Sequence, residues 1–276
     1  MTPTPNDLSP SPGALAPPRG DKSQAVGTYA LRLGDDALVL AQRMGEWVAS
    51  APQLEEDVAL ANIGLDLLGQ ARSLLTYAGR LLPHPDGSPR TEDDLAYLRD
   101  ERDWTNVQLV ELTDDGDFGA CIARLLVFSA WQHELYAALT SSTDETLAAV
   151  AAKAVKEVAY HRDHATQWVL RLGDGTDESH RRMQSALDAR WPYVDELFET
   201  DDLVRDLAEA GVAVDPATLR GPVLAYVTTV IEQATLELPE TTVRHTGGRR
   251  GVHTEQFGYL LAEMQHLARS HAGATW

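Results

Sequence analysis

The stretch FGACIARLLVFSAWQHELYAALT, residues 118–140, carries a clear helical pattern from which the fold class of this chain can be inferred. Several of its side chains recur at spacings of three and four residues, which places them along one side of a helix. They are Ile122, Leu125, Leu126, Ser129, Gln132, His133, Tyr136 and Leu139. The spacing therefore predicts one long α-helix over residues 118–140.

Comparable spacings predict helices before and after this stretch. The predicted helices are Ala37–Val48, Leu54–Tyr77, Thr91–Arg99, Asp144–Leu172, Asp177–Glu199, Asp201–Ala210, Ala217–Leu236 and Thr254–Arg269. The first of them follows a break at Gly34–Asp35, and the helix 177–199 is expected to kink near Pro192. The helix 54–77 is apolar on more than one face, which is typical of a helix in the middle of a bundle.

Local signals refine the ends of these elements. Ser142 and Glu145 have the spacing of a capping box, which predicts the start of the helix at 144. A brief extended piece is predicted at Val107–Leu112, before a turn at 114–117. Because no segment alternates with period two over a useful length, the sequence predicts an all-α bundle built around four or more long helices.

Composition limits the remaining possibilities. Residues 1–22 are rich in Pro and Ser and are expected to form a disordered tail, followed by one domain at 23–276. A net charge of −19 argues against nucleic-acid binding, because phosphate contacts need clustered Lys and Arg. No window has the roughly 18 apolar residues of a membrane span. Cys121 is the single cysteine, which excludes an internal disulfide and fits a reducing cytoplasm.

Bundles of long helices often hold a pair of metal ions. Such a site needs a Glu from each of two helices and a Glu-x-x-His pair from each of two others. The chain has one Glu-x-x-His, Glu263–His266, and one weaker form, Asp177–His180. Neither lies on a central predicted helix, so both are expected to be surface pairs. No catalytic residue is predicted.

The long helices carry incomplete versions of the motif. Asp66 is followed at i+3 by Gly69, and Glu157 by Tyr160, with His161 one residue further on. The near-miss positions are Glu46, Asp66, Glu134, Glu157 and His161. Pairing of these residues with Arg43, Arg72 and Arg124 is favoured, and a mononuclear site from Glu134, Glu157 and His161 is the alternative. We therefore predict that this chain supplies no metal ligands.

The segment Thr246–Gly251 (TGGRRG) is a local cationic and flexible spot in an acidic chain. Arg249 and Arg250 are weak candidates for contact with a phosphate group or with an acidic partner surface. A plain turn is the alternative.

Six segments carry a resemblance to a known family. They are Tyr29–Trp47, Leu60–Arg72, Lys153–His161, Leu172–Thr176, Gly211–Leu219 and Thr246–Met264. Together they resemble the C subunits of the ring 1,2-phenylacetyl-CoA epoxidases of aerobic phenylacetate degradation. The resemblance runs from about residue 25 to the end of the chain.

The resemblance implies a ferritin-like helical bundle without a complete di-metal site. It implies a structural role beside a homologous catalytic A subunit that holds the di-iron centre. A small B subunit and an NADPH-dependent reductase with FAD and an iron–sulfur cluster complete such a system, so no cofactor is expected in this chain. We expect the first two helices to contact the A subunit, and no nucleic acid or membrane as a partner. An autonomous ferritin-like oxidase is one alternative, and a module in which Arg249 and Arg250 contact CoA phosphates is another.

Overall fold

A computed structural model describes residues 22–271 and 273–274. The helices are α1 (Lys22–Gly45), α2 (Leu54–Leu81), α3 (Glu92–Tyr97), α4 (Phe118–Leu139), α5 (Glu145–Gly173), α6 (Asp177–Arg190), α7 (Asp202–Glu209), α8 (Arg220–Gln233) and α9 (Glu255–Ser270). No residue in the described ranges is in a β-strand, so the predicted all-α class is confirmed. Apart from Lys22, which starts α1, the predicted tail lies outside the described residues.

The four longest helices form the bundle. α1 and α2 make one hairpin, α4 and α5 make a second, and α2 packs on α5 to join the two. This pairing of two hairpins of long helices is the ferritin-like arrangement that the resemblance implied. α6 and α8 pack on the second hairpin, and α3 packs against both α2 and α9.

The central helices are α1 and α4 rather than α2. Seventeen of the 24 residues of α1 and seventeen of the 22 residues of α4 are buried, against ten of 28 in α2. The prediction that the second helix lies in the middle of the bundle is therefore wrong. An apolar surface on several sides of α2 resembles the pattern of a buried helix, but part of that surface faces solvent.

The predicted break at Gly34–Asp35 is also wrong, because α1 continues through it. A Cβ atom on Gly34 would lie 2.8 Å from Leu75 Cδ2, so glycine here allows α1 and α2 to approach closely. The Asp35 side chain is fully buried and pairs with the guanidinium of Arg99. Tertiary packing and a buried ion pair thus compensate for two residues that are poor helix formers.

Residues 106–112, between α3 and α4, are buried without being extended. Residues 108–111 form a 3₁₀ turn instead of the predicted extended piece at Val107–Leu112. Two arginines satisfy the carbonyl groups of this turn and of the residue after it: Arg43 donates to Glu111 O, and Arg124 donates to Leu112 O. In this segment, hydrogen bonds from buried side chains therefore satisfy backbone carbonyl groups that have no partner in a regular helix or strand.

Two further predictions need correction. The cap of α5 is Asp144, which accepts a hydrogen bond from Leu147 N at 2.9 Å, whereas Ser142 donates to Val212 O. The predicted capping box is thus replaced by a simple Asp cap. The predicted helix 177–199 ends at Arg190 and gives way to two 3₁₀ turns, 191–193 and 195–198. Proline at 192 lacks the N–H that an α-helix would need there.

Candidate functional site in the bundle interior

An amide and carboxylate network joins three helices inside the bundle. Gln132 on α4 donates from Nε2 to Gln70 Oε1 on α2 at 3.1 Å. Gln70 donates from Nε2 to Glu157 Oε2 on α5 at 3.2 Å. Gln70 and Gln132 are both buried, at 3% and 2% exposure. This network occupies the interior of the bundle, where two of the near-miss helices face each other.

Two further polar pairs involve α5 residues at or beside this network. Lys153 Nζ, one helical turn before Glu157, lies 3.2 Å from Glu157 Oε1. His161 Nε2 lies 3.1 Å from Asp66 Oδ2. Burial lowers the pKa of His161, and the neighbouring Asp66 carboxylate opposes this effect. A neutral His161 can donate its Nε2 proton to Asp66, which ties α5 to α2.

Nearer the start of α2, Glu56 makes a second set of contacts with α5. Its Oε2 accepts a hydrogen bond from Trp168 Nε1 at 2.8 Å and lies 3.2 Å from His164 Nε2. Burial lowers the pKa of His164, while the charge of Glu56 raises it. Neither Glu56 nor Gln70 is predicted from the sequence as a residue of interest. The available signal was a polar residue at an otherwise apolar position of a helix, as at Gln132.

The structure brings together three of the five near-miss positions. Asp66, Glu157 and His161 all lie along the contact between α2 and α5. Glu46 lies instead at the turn after α1 and pairs with Arg43, as predicted. Glu134 accepts a hydrogen bond from Arg162 at 3.4 Å.

The other two arginines take different partners from those expected. Arg72 pairs with Glu92 of α3, and the fully buried Arg124 pairs with Asp114, so neither prediction of a near-miss partner is correct. The long helices alone could not reveal these partners, because α3 and the turn before α4 supply them.

The side chains of this interior do not fit a dinuclear iron site. Such a site needs four carboxylates and two imidazoles directed at one pair of ions. Within residues 22–271 and 273–274, no group of three or more His, Cys, Asp or Glu side chains converges as metal ligands would. Neutral amides stand at Gln70 and Gln132, and they form hydrogen bonds with neighbouring side chains.

The two pairs found by motif lie elsewhere. Glu263 and His266 are both exposed on α9. His180 uses Nδ1 in a 2.8 Å hydrogen bond with Gly173 O, where α5 ends. Neither pair therefore belongs to the interior network.

The TGGRRG segment is held firmly by the buried carboxylate of Glu196. This carboxylate accepts hydrogen bonds from Gly247 N, Gly248 N and Gln108 N at 2.9, 2.7 and 2.6 Å. Gly247 has φ 117°, which a residue with a Cβ rarely adopts. Burial raises the pKa of Glu196 to about 7, and the backbone donors oppose that shift.

The two arginines of this segment have different environments. The Arg249 guanidinium donates to Asp36 Oδ1 and Oδ2 at 3.0 and 2.7 Å and to the carbonyl oxygens of Arg32 and Thr105. Arg250 is 66% exposed at its side chain and lies 3.9 Å from Glu199. Arg249 therefore forms its contacts within the protein, and Arg250 is the one of the two that faces solvent.

None of the described helices combines the length and the apolar character that crossing a lipid bilayer requires.

Comparison with known proteins agrees with this architecture. A family model described as "Phenylacetic acid catabolic protein" matches residues 16–276. The C subunit of the 1,2-phenylacetyl-CoA epoxidase of Escherichia coli (strain K12) is 49% identical over 248 residues, which cover 90% of this chain and 98% of that protein. The resemblance predicted from the six segments is thus confirmed. This chain belongs to the phenylacetic acid catabolic protein family.

Proposed function

We propose that this chain is the non-catalytic, structural subunit of a multicomponent phenylacetyl-CoA epoxidase. In this proposal a homologous catalytic subunit holds the di-iron centre, and a small B subunit and a reductase with FAD and an iron–sulfur cluster complete the system. The likeness to the C subunit of such an epoxidase over 90% of the chain supports the assignment. The cytoplasmic location expected from the sequence remains part of the proposal.

One observation supports the non-catalytic role most strongly. The series Gln132–Gln70–Glu157 joins α4, α2 and α5 through the interior of the bundle. Carboxylates and imidazoles are the side chains that bind iron pairs in helical bundles, whereas a neutral amide is a weak ligand. Each buried hydrogen bond contributes about 0.5–1.5 kcal/mol to stability. The interior therefore favours a cross-link between helices over a metal centre.

The exposed apolar surface of α2 supports the proposal that a partner subunit binds this chain. Leu54, Val58 and Leu65 are 74%, 54% and 64% exposed and follow one side of the helix. We call these three residues the α2 stripe. The sequence predicts the contact on both of the first two helices, but α1 is buried on nearly every side. The docking face is accordingly proposed on α2 alone.

The α5 face beside this stripe adds charge. Tyr160 is half exposed and packs against the rings of His161 and His164, which face α2. Lys153 and Lys156, two of the three lysines of the chain, are exposed on the same helix. Glu55 and Asp57 add negative charge at the start of the stripe, so its surroundings carry charges of both signs.

The test is reconstitution with the catalytic subunit. Both chains are purified separately and mixed, and complex formation and epoxidation of phenylacetyl-CoA are measured. We expect that Val58→Glu with Leu65→Glu abolishes complex formation, while the matched pair Tyr259→Glu with Leu267→Glu on α9 leaves it intact. If the α2 variant still forms an active complex, the docking face is wrong. If the wild-type chain does not bind the catalytic subunit, the proposed function fails.

Contact between the TGGRRG segment and a CoA phosphate remains a separate prediction. Because Arg249 is paired with Asp36, the exposed Arg250 would have to make that contact. Replacing Arg250 with Ala should then raise the KM for phenylacetyl-CoA without dissociating the complex.

A further inference from the structure

A groove at the start of the α2 stripe has walls formed by three aromatic rings. Its volume is about 540 Å³, which is within the roughly 300–1,000 Å³ of typical ligand pockets. Trp47, Phe118 and Trp168 form its apolar wall. Pro52 and Gln53, which immediately precede Leu54 of the α2 stripe, form its edge. The groove and the stripe are therefore neighbouring parts of one surface.

The aromatic wall is rigidly held from behind. Phe118 packs edge-on against both indoles, with ring centroids 5.8 Å from Trp47 and 4.9 Å from Trp168. Trp47 Nε1 donates to Asp114 Oδ2 at 3.0 Å, and Trp168 Nε1 donates to Glu56 Oε2 at 2.8 Å. Each indole thus has its polar group satisfied in the interior, so the wall is preorganised for an apolar occupant.

Charged groups on the rim of the groove are paired within the chain. Arg182 Nε lies 2.6 Å from Glu178 Oε1. Asp117 accepts a hydrogen bond from Gly119 N and caps α4. An apolar group can therefore contact the aromatic wall without disturbing these rim contacts.

The two turns beside the groove adopt a costly backbone conformation. Ala49, next to the groove residue Ser50, has φ 65°, and Asp115, next to Gly116, has φ 48°. They are two of the three non-glycine residues with positive φ in the described part of the chain. Positive φ is unfavourable for a residue with a Cβ atom and is found preferentially at functional sites. Val48, in the first of these turns, is also 58% exposed.

From this geometry we infer that the groove is an anchor site of the subunit interface, and that its occupant is an aromatic side chain of the catalytic partner. This inference rests on the proposed function, because the occupant belongs to the protein that docks on the α2 stripe. Interface energy concentrates in a few large aromatic side chains that insert into preformed pockets. An aromatic ring can pack edge to face against Phe118 and Trp168, the two partly exposed rings of the wall, which a branched aliphatic group cannot do.

The experiment fills the groove without disturbing its wall. Ser50→Trp introduces a large side chain at an exposed position of the groove, and Ser270→Trp, at the exposed end of α9, is the matched control. Affinity for the purified catalytic subunit is measured by titration calorimetry, and the melting temperature of each variant checks the fold. We expect Ser50→Trp to weaken binding at least tenfold and Ser270→Trp to change it less than twofold.

A second variant tests the aromatic character of the contact. Phe118→Leu keeps most of the volume but removes the ring that touches both indoles, and we expect it to weaken binding three- to tenfold. If Val58→Glu with Leu65→Glu abolishes binding while Ser50→Trp and Phe118→Leu do not change it, the anchor site is wrong and the proposed function stands. If none of the three variants changes binding of the partner, the anchor site and the α2 docking face are both wrong, whereas the proposed function fails only if the wild-type chain does not bind the partner. If titration calorimetry shows that the wild-type chain binds benzyl alcohol, and Ser50→Trp abolishes that binding but leaves partner binding unchanged, the groove binds a small aromatic molecule and the anchor proposal is overturned.

Discussion

Asp36 and Arg249 lie 213 residues apart in the chain and form a largely buried ion pair, with 2.7 Å between Asp36 Oδ2 and Arg249 Nη2. Asp36 also accepts a hydrogen bond from Val107 N at 2.8 Å. One carboxylate on the central helix α1 thus holds both the segment before α4 and the loop before α9. These contacts explain why irregular backbone is tolerated against the bundle.

Arg249→Ala should destabilise the chain strongly. Burial raises the pKa of Asp36 and the guanidinium of Arg249 opposes that rise, so its removal leaves an uncompensated buried carboxyl group. Breaking a buried pair of this kind costs about 3–5 kcal/mol of unfolding free energy. Arg250→Ala, one residue away and exposed, should cost less than about 0.5 kcal/mol. Urea unfolding of both variants checks this, and equal losses would contradict the assignment of Arg249 to the interior.

Glu196 should make stability depend on pH near neutrality. Burial raises the pKa of Glu196 in the folded chain to about 7, from an ordinary value of 4.5. The folded state then binds this proton more tightly than the unfolded state. The corresponding stability is complete below pH 4.5 and is lost as pH rises to about 7.

The variant Glu196→Gln cannot titrate and should lose this contribution. We expect its unfolding free energy to fall less between about pH 5 and pH 7.5 than that of the wild type, by roughly 1–3 kcal/mol. Urea unfolding at a series of pH values measures the difference between the two slopes. Parallel slopes would show that the three backbone N–H donors keep Glu196 ionised throughout this range.

The interior amide network should behave as one coupled unit. Gln70→Leu leaves Gln132 and Glu157 without their shared partner, which should cost about 1–3 kcal/mol. A double-mutant cycle with Gln132→Leu should show a coupling energy of roughly 0.5–3 kcal/mol. Additive losses would mean that the 3.1 Å contact between the two amides contributes nothing to stability.

Two glycines of α2 should respond to alanine in opposite ways. A Cβ atom on Gly79 would collide with the carbonyl oxygen of Arg90, whereas a Cβ atom on Gly69 would meet nothing within 4 Å. Gly79→Ala should therefore cost roughly 1–3 kcal/mol through overpacking. Gly69→Ala should add up to about 1 kcal/mol through helix propensity. The melting temperatures of the isolated variants show whether each substitution stabilises or destabilises the chain. A stabilising effect of Gly79→Ala would contradict the close contact with Arg90.

The sequence predicts the bounds of three long helices closely but misplaces the start of α1 and the segments between the helices. Apolar spacing at three and four residues identifies α4 and α5 to within a few residues, because local periodicity reports the buried face directly. It cannot show that α1 continues through Gly34, since that depends on contact with Leu75 of another helix. Nor can it show the buried 3₁₀ turn at 108–111, since arginines on α1 and α4 bind the carbonyl groups there and just after it.

In the interior network, too, the sequence indicates some of the residues but not their contacts. Asp66, Glu157 and His161 are identifiable from the sequence as positions of interest because they resemble parts of a ligand motif. Their neighbour Gln70 stands out only as a polar residue at an otherwise apolar position of a helix, and an isolated glutamine has no motif that would indicate its partners. Only the packing of α2 against α4 and α5 reveals that the Gln70 amide connects the two other helices.

Our proposal is that this chain supports an iron enzyme without holding its iron. To test it, the chain and the catalytic subunit are loaded separately with ⁵⁷Fe(II), each is mixed with its unlabelled partner, and Mössbauer spectra of the complexes are recorded. We expect a dinuclear iron signal only when the catalytic subunit carries the label. A dinuclear signal from label carried by this chain would refute the structural role.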